Sequence, residues 1–212
     1  MKRVIFYFDG FNFYNGLKAK SKIDTQWKEY YWLDFVKFAN QFIDLDTHEL
    51  VSVKYFTAKP TDAGQISRQS ALFSANKLLN GEKFQVIKGQ YQNKDIKCRA
   101  TCRQIFQQQE EKKTDVSIAT SMLIDCFNNL VDNIILITAD SDQVPAIQAI
   151  KRQFPDKKVK VYFPPERSST ELLSLCNPVV YLGGNENKFI NSVMSDLVTN
   201  SIKTYTRPIS WK

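Results

Sequence analysis

Three features of the sequence predict an α/β fold, with a doubly wound, mostly parallel central sheet flanked by helices. Short apolar runs alternate with stretches of helical periodicity. The runs are apolar at consecutive positions, as in strands covered on both faces. Two of them end in aspartates, at the rim where open α/β sheets bind ligands.

The elements follow in chain order. Strands are expected at Val4–Phe8, Leu50–Phe56, Ile134–Thr138 and Val159–Phe163, with a weaker one at Phe84–Ile87. A first helix is expected between Leu33 and Leu45, where Phe35, Phe38, Ala39, Phe42 and Ile43 recur at helical spacing. Asp34 near its start suits the positive helix end. A second helix spans 62–80, closed by Asn80-Gly81, a third spans 115–130, and a fourth spans 142–154 before Pro155. Residues 88–113 are polar and rich in Gln and Lys, and they read as a long loop or excursion. After Gly183-Gly184, a short amphipathic helix carries Phe189, Val193, Leu197 and Val198. The division is therefore a main domain over 1–183 and a helix with tail over 184–212, packed on it or extending from it.

A chain of 212 residues buries a sizeable core without disulfides. No apolar run nears the roughly 20 residues of a membrane span, and the apolar run that follows Lys2 and Arg3 stops at Asp9, too early for a signal peptide. A cytoplasmic protein is expected. Cys98, Cys102, Cys126 and Cys176 then read as free thiols. The net charge of +7 favours polyanionic partners.

Against that basic background, the placement of acidic residues is informative. Asp9 directly follows the first strand, and Asp140 follows Ile134–Thr138 by two residues. Asp142 stands where the chain enters a helix, and Asp115 opens another. Parallel strands share one rim for their C-terminal ends, so these carboxylates converge. At about 4 Å and an effective dielectric near 20, each unscreened pair costs roughly 4 kcal/mol. Protons or cations must neutralise such a cluster, and an all-oxygen ligand set selects Mg²⁺ or Mn²⁺ over zinc. For each aspartate alone, turn formation or helix capping is the competing explanation. Taken together at strand ends, capping becomes the minority explanation.

Three motifs occur in order: Asp9-Gly-Phe-Asn12-Phe-Tyr, Glu111-Lys-Lys-Thr-Asp115-Val and Thr138-Ala-Asp140-Ser141-Asp142-Gln-Val-Pro. Over about residues 1–165 they resemble the NYN domain, a relative of the PIN ribonucleases. The resemblance implies a PIN-like fold and a Mg²⁺- or Mn²⁺-dependent ribonuclease. It implies metal-binding roles for Asp9, Asp115 and Asp140, with Asp142 a fourth member, and a positioning role for Asn12. Thr138 and Ser141 flank the acidic pair, where they orient water or phosphate, or simply pack. Many relatives carry an aspartate six residues after the one matching Asp115; here Ser121 occupies that position, and Asp125 further along reads as a solvated helix residue. Relatives also often carry a cysteine pair in the excursion, but Cys98 and Cys102 have neither a second pair nor a nearby histidine to complete a zinc site.

The substrate surface is read from the basic residues. Lys88, Tyr91, Lys94, Lys97, Arg99, Arg103, Lys112 and Lys113 could track a single strand, by phosphate pairing and base stacking; a solvated charged loop is the competing reading. Lys18, Lys20 and Lys22 make a second basic patch. Single-stranded RNA is the favoured partner, its preference over DNA resting on the family resemblance, and a homodimer is compatible with the sequence. Two rivals remain. A dehalogenase-like phosphatase needs an aspartate two residues after Asp9, where Phe11 stands. A catalytically degenerate NYN module that binds RNA or protein without cleaving draws support from Ser121.

Overall fold

The computed structural model describes residues 1–58, 60–97 and 105–212, with 90–97 and 105–112 as backbone only. The central sheet holds six strands. These are β1 (Lys2–Asp9), β2 (His48–Thr57), β3 (Phe84–Lys88), β6 (Asn133–Ile137), β7 (Lys158–Phe163) and β8 (Val180–Tyr181). β4 (Gln90–Lys97) and β5 (Ile105–Lys112) form a separate antiparallel ribbon. The sheet order is β3-β2-β1-β6-β7-β8, with every neighbouring pair parallel. The chain winds outward from β1 to β3, then returns to β6 on the other side of β1. The switch point lies between β1 and β6.

The pleat of β1 shows why both faces are covered. Val4, Phe6 and Phe8 enter one buried cluster, and Ile5 and Tyr7 enter the other. The first cluster is capped by α1 (Gly10–Ile23), α2 (Phe35–Asn40) and α3 (Ala63–Asn80), through Phe13, Leu17, Phe38, Leu72 and Phe73. The second is capped by α4 (Thr114–Phe127), α5 (Val144–Gln153) and α6 (Thr170–Leu175), through Ile118, Met122, Ile147, Ile150 and Leu172. Alternate side chains thus face opposite helical layers, and the strand is apolar at every position.

α1 packs close on the rim. A Cβ at Gly10 would lie 2.4 Å from the Phe56 carbonyl oxygen and 2.5 Å from the Tyr55 ring, so only glycine allows the approach. α3 begins under the Asp62 carboxylate, which accepts from the Gln65 N–H. It ends at Gly81, whose φ of +54° lies in the left-handed region.

The structure departs from the sequence reading in five places. Residues 90–97 and 105–112 pair as strands where a long loop or excursion was expected: the stretch does leave the main sheet, but as a ribbon. Polar residues at nearly every position hide a period of two, while the backbone ladder forms regardless. The expected 33–45 helix shrinks to Phe35–Asn40, capped by Asp34. Gln41, Phe42 and Ile43 then bond three residues back, not four, and the chain tightens and stops. α1, covering Gly10–Ile23, has no counterpart in the sequence reading, because few apolar residues mark its inner face. The expected C-terminal helix covers only α7 (Glu186–Ile190). Leu197 and Val198 instead lie in β9 (Leu197–Thr199), paired with β10 (Thr204–Thr206). Asp125, finally, is 3% exposed, not solvated.

Candidate metal centre

Register places the first two carboxylates. Phe8 pairs with Ile137 across β1 and β6, so the next residues, Asp9 and Thr138, emerge side by side at the switch point. Thr138 Oγ1 donates to Asp9 Oδ2 at 2.7 Å and accepts from the Asp140 N–H at 3.0 Å, joining the two strand ends through one buried hydroxyl. Asp9 is itself the N-cap of α1. Its Oδ1 accepts from the Asn12 N–H, and its Oδ2 accepts from Asn12 Nδ2, both at 3.0 Å. Asp140 Oδ1 accepts from the Asp142 N–H at 3.0 Å.

Asp115 arrives from the opposite layer, in the first turn of α4, where the positive helix end favours a carboxylate. It does not cap that helix. The cap position is Lys113, held at φ +73° without a side-chain bond to the helix. Gln143 ties the two segments, its Nε2 donating to the Asp115 carbonyl oxygen at 3.3 Å. Its Oε1 is buried without a protein partner among the described residues.

Carboxylate oxygens of Asp9, Asp115 and Asp140 all lie within 4.8 Å of one another. Among the described residues, no lysine or arginine forms an ion pair with any of the three. Burial raises the Asp9 pKa above the usual carboxylate value against the lowering effect of Asn12 and Thr138, and Asp140 adds to the rise. Burial also raises the Asp115 pKa, with Asp9, Asp140 and Asp142 adding repulsion. Asp142 is exposed at the edge and is not one of the three converging groups. Ser141 is half-buried in the same turn. The donor set is wholly carboxylate oxygen, which fits a hard divalent cation of the Mg²⁺ or Mn²⁺ class.

Lys88 ends β3 on this same rim and Lys113 precedes α4; both are exposed. The side chains of Tyr91, Lys94, Lys97 and Lys112 lie outside the described residues, as do Arg99, Arg103, Cys98 and Cys102 entirely. In the second patch, Lys20 is bound to Glu166 at 2.9 Å.

Sequence reasoning missed a buried group where α4 packs on β1 and β2. Asp125 Oδ2 accepts from Tyr7 Oη and from Lys54 Nζ, both at 2.5 Å. Lys54 Nζ also reaches Ser121 Oγ at 3.4 Å. Tyr7 and Lys54 are register partners on β1 and β2, so the face of α4 carrying Ser121 and Asp125 meets a lysine. No local pattern marks this, since three distant segments contribute.

Fold and site together define a doubly wound α/β domain with an acidic centre at its switch point. The model of the NYN domain matches residues 3–183, and the chain belongs to that family, with its nuclease-type, PIN-like fold. A 6-hydroxy-3-succinoylpyridine 3-monooxygenase from Pseudomonas putida is 28% identical, over 76% of this chain and 59% of the relative, so the chain spans about three-fifths of that protein's length. A crystal structure of a protein of unknown function from Vibrio parahaemolyticus has the same fold. It superposes with a TM-score of 0.52 at 22% identity, covering 84% of this chain and 91% of the other.

Proposed function

We propose that this protein is a Mg²⁺- or Mn²⁺-dependent ribonuclease that cleaves single-stranded RNA. The observation that carries the reading is the convergence of Asp9, Asp115 and Asp140 with no basic partner among the described residues. A carboxylate cluster without an internal counter-charge is stable only beside a cation or in a protonated state. Asp9, Asp115 and Asp140 would hold the cation, with Asp142 at its outer edge. A divalent ion bound there supplies Lewis acidity toward a phosphoryl oxygen and lowers the pKa of a bound water.

The chain's own residues do the rest. Asn12 and Thr138 hold the Asp9 carboxylate by three hydrogen bonds, which fixes its orientation before any ligand binds. Gln143 holds the start of α4 against the turn that carries Asp140. Lys88 and Lys113 flank the acidic centre and attract the phosphates of a strand laid along the rim.

A second reading draws on Lys54: the α4 face that carries a further aspartate in many relatives here has Ser121 against a lysine. A module with fewer metal ligands would bind RNA without cutting it. Cleavage assays separate the readings. With Mn²⁺ or Mg²⁺, purified protein should cut single-stranded RNA, EDTA should stop cutting, and Asp9→Asn or Asp140→Asn should lose cleavage while keeping salt-sensitive binding. RNA retention without metal-dependent products would favour the binding module. Turnover of 6-hydroxy-3-succinoylpyridine would instead align the chain with the chemistry named for its Pseudomonas relative.

A further inference from the structure

On the opposite side of the β1–β2 rim from α4 lies a cavity of about 270 Å³, walled by α1, the end of β2, α3 and the C-terminal Trp211. Gly10, the residue after Asp9, is part of its lining, so one wall continues from the strand end that carries that carboxylate. Its volume lies just below the roughly 300–1,000 Å³ of small-ligand sites, room for one ring system and a substituent.

The lining has two kinds of group. Phe11 and Tyr14 are 53% and 39% exposed on α1; Tyr14 already packs on Tyr31, with ring centroids 5.3 Å apart, and the exposed parts of both rings offer stacking surface. On α3, the half-buried Arg68 has neither hydrogen bond nor ion pair among the described residues, and Lys18 of α1 likewise has no side-chain partner there. Gln69 already donates to Thr57 Oγ1 at 3.1 Å and to the Ala58 carbonyl at 3.4 Å, which fixes its amide in the wall. The Asp62 carboxylate lies on the Gly64 side of Arg68, each 3.2 Å from where a Gly64 Cβ would stand, so it offsets part of that charge without forming an ion pair. Stacking faces beside cations that no ion pair holds among the described residues suit a planar ring that carries a negative charge.

We infer that this cavity binds one nucleotide of the RNA strand, its base against Phe11 and Tyr14 and its phosphate toward Arg68 and Lys18. The inference rests on the ribonuclease reading for its substrate class and gives that substrate a fixed seat beside the site of cutting. A base can enter only when unstacked from a helix, which makes the cavity a selector for single strands.

The experiment is a titration of ¹⁵N-labelled Asp9→Asn protein in EDTA with each nucleoside monophosphate, so that binding is read without cleavage and without metal. Saturable shifts should appear at the amides of Gly10 and Gln69 and at the Trp211 indole N–H. Arg68→Gln should weaken binding about tenfold, as expected for loss of a charged hydrogen bond. Tyr14→Ala should weaken it by a similar factor, from lost stacking. Lys77→Gln, on the same helix but away from the cavity, should leave it unchanged. Three results would overturn the inference: shifts confined to other surfaces, equal affinity for inorganic phosphate or nicotinate, or binding indifferent to both cavity variants. Loss of the cleavage reading alone, with these shifts intact, would leave a nucleotide-binding cavity on a non-cleaving module.

Discussion

Thr138 illustrates how much rests on single polar atoms at the rim. Its hydroxyl donates to Asp9 and accepts from the Asp140 N–H, and the residue is fully buried. Thr138→Val keeps the shape but strands both partners, so urea unfolding should show a loss of about 1–3 kcal/mol, while Thr138→Ser retains most of the stability. Cleavage by the valine variant should fall as well, because Asp9 loses one of its three orienting bonds. Thr138 was legible in the sequence only as a small hydroxyl residue beside the acidic pair. That it bridges both strand ends depends on the β1–β6 register, which no local pattern encodes.

At the scale of elements, the two central strands are fastened at the end opposite the site. Asp132, just before β6, accepts from the Arg3 N–H, from Arg3 Nε and Nη2, and from Lys157 Nζ. The Arg3 hydrogen bonds, with Lys157 behind them, hold the Asp132 carboxyl well below the usual carboxylate range. A carboxyl whose folded pKa is lowered contributes stability fully above its unfolded value of about 3.9, and loses it as pH falls toward the folded value. Asp132→Asn should therefore cost about 1–2 kcal/mol at pH 7, since the group is partly exposed to solvent. The gap between the two proteins should close as pH drops below about 4, as urea midpoints across pH would register. This clasp keeps β1 beside β6, and with them Asp9 beside Thr138.

For the whole molecule, the acidic centre is a local cost that a bound cation would offset. In EDTA, Asp115→Asn should melt higher than the wild type, because it removes one of three mutually repelling carboxylates. Added Mn²⁺ should reverse the order, raising the wild-type Tm and leaving the variant nearly unmoved. At 100 times Kd the wild type gains about 2.7 kcal/mol. Calorimetry with and without the ion would test both halves, and an unchanged wild-type Tm at millimolar Mn²⁺ would count against the metal site.

Apolar strands alternating with helices were written locally, as were the aspartates that end β1 and follow β6, because strand burial and capping depend on near neighbours. The short α2, the polar ribbon of β4 and β5, and the C-terminal hairpin were not, since each takes its form from backbone pairing or tertiary packing more than from hydropathy period. The sequence alone determined which residue types stand at strand ends, and hence that a carboxylate rim was coming. Only the tertiary structure decided that Asp115 crosses from the other layer to join it, that Asp125 turns inward to Lys54, and that a cavity opens beside Gly10. Those outcomes are distances between segments far apart in the chain, and packing sets them.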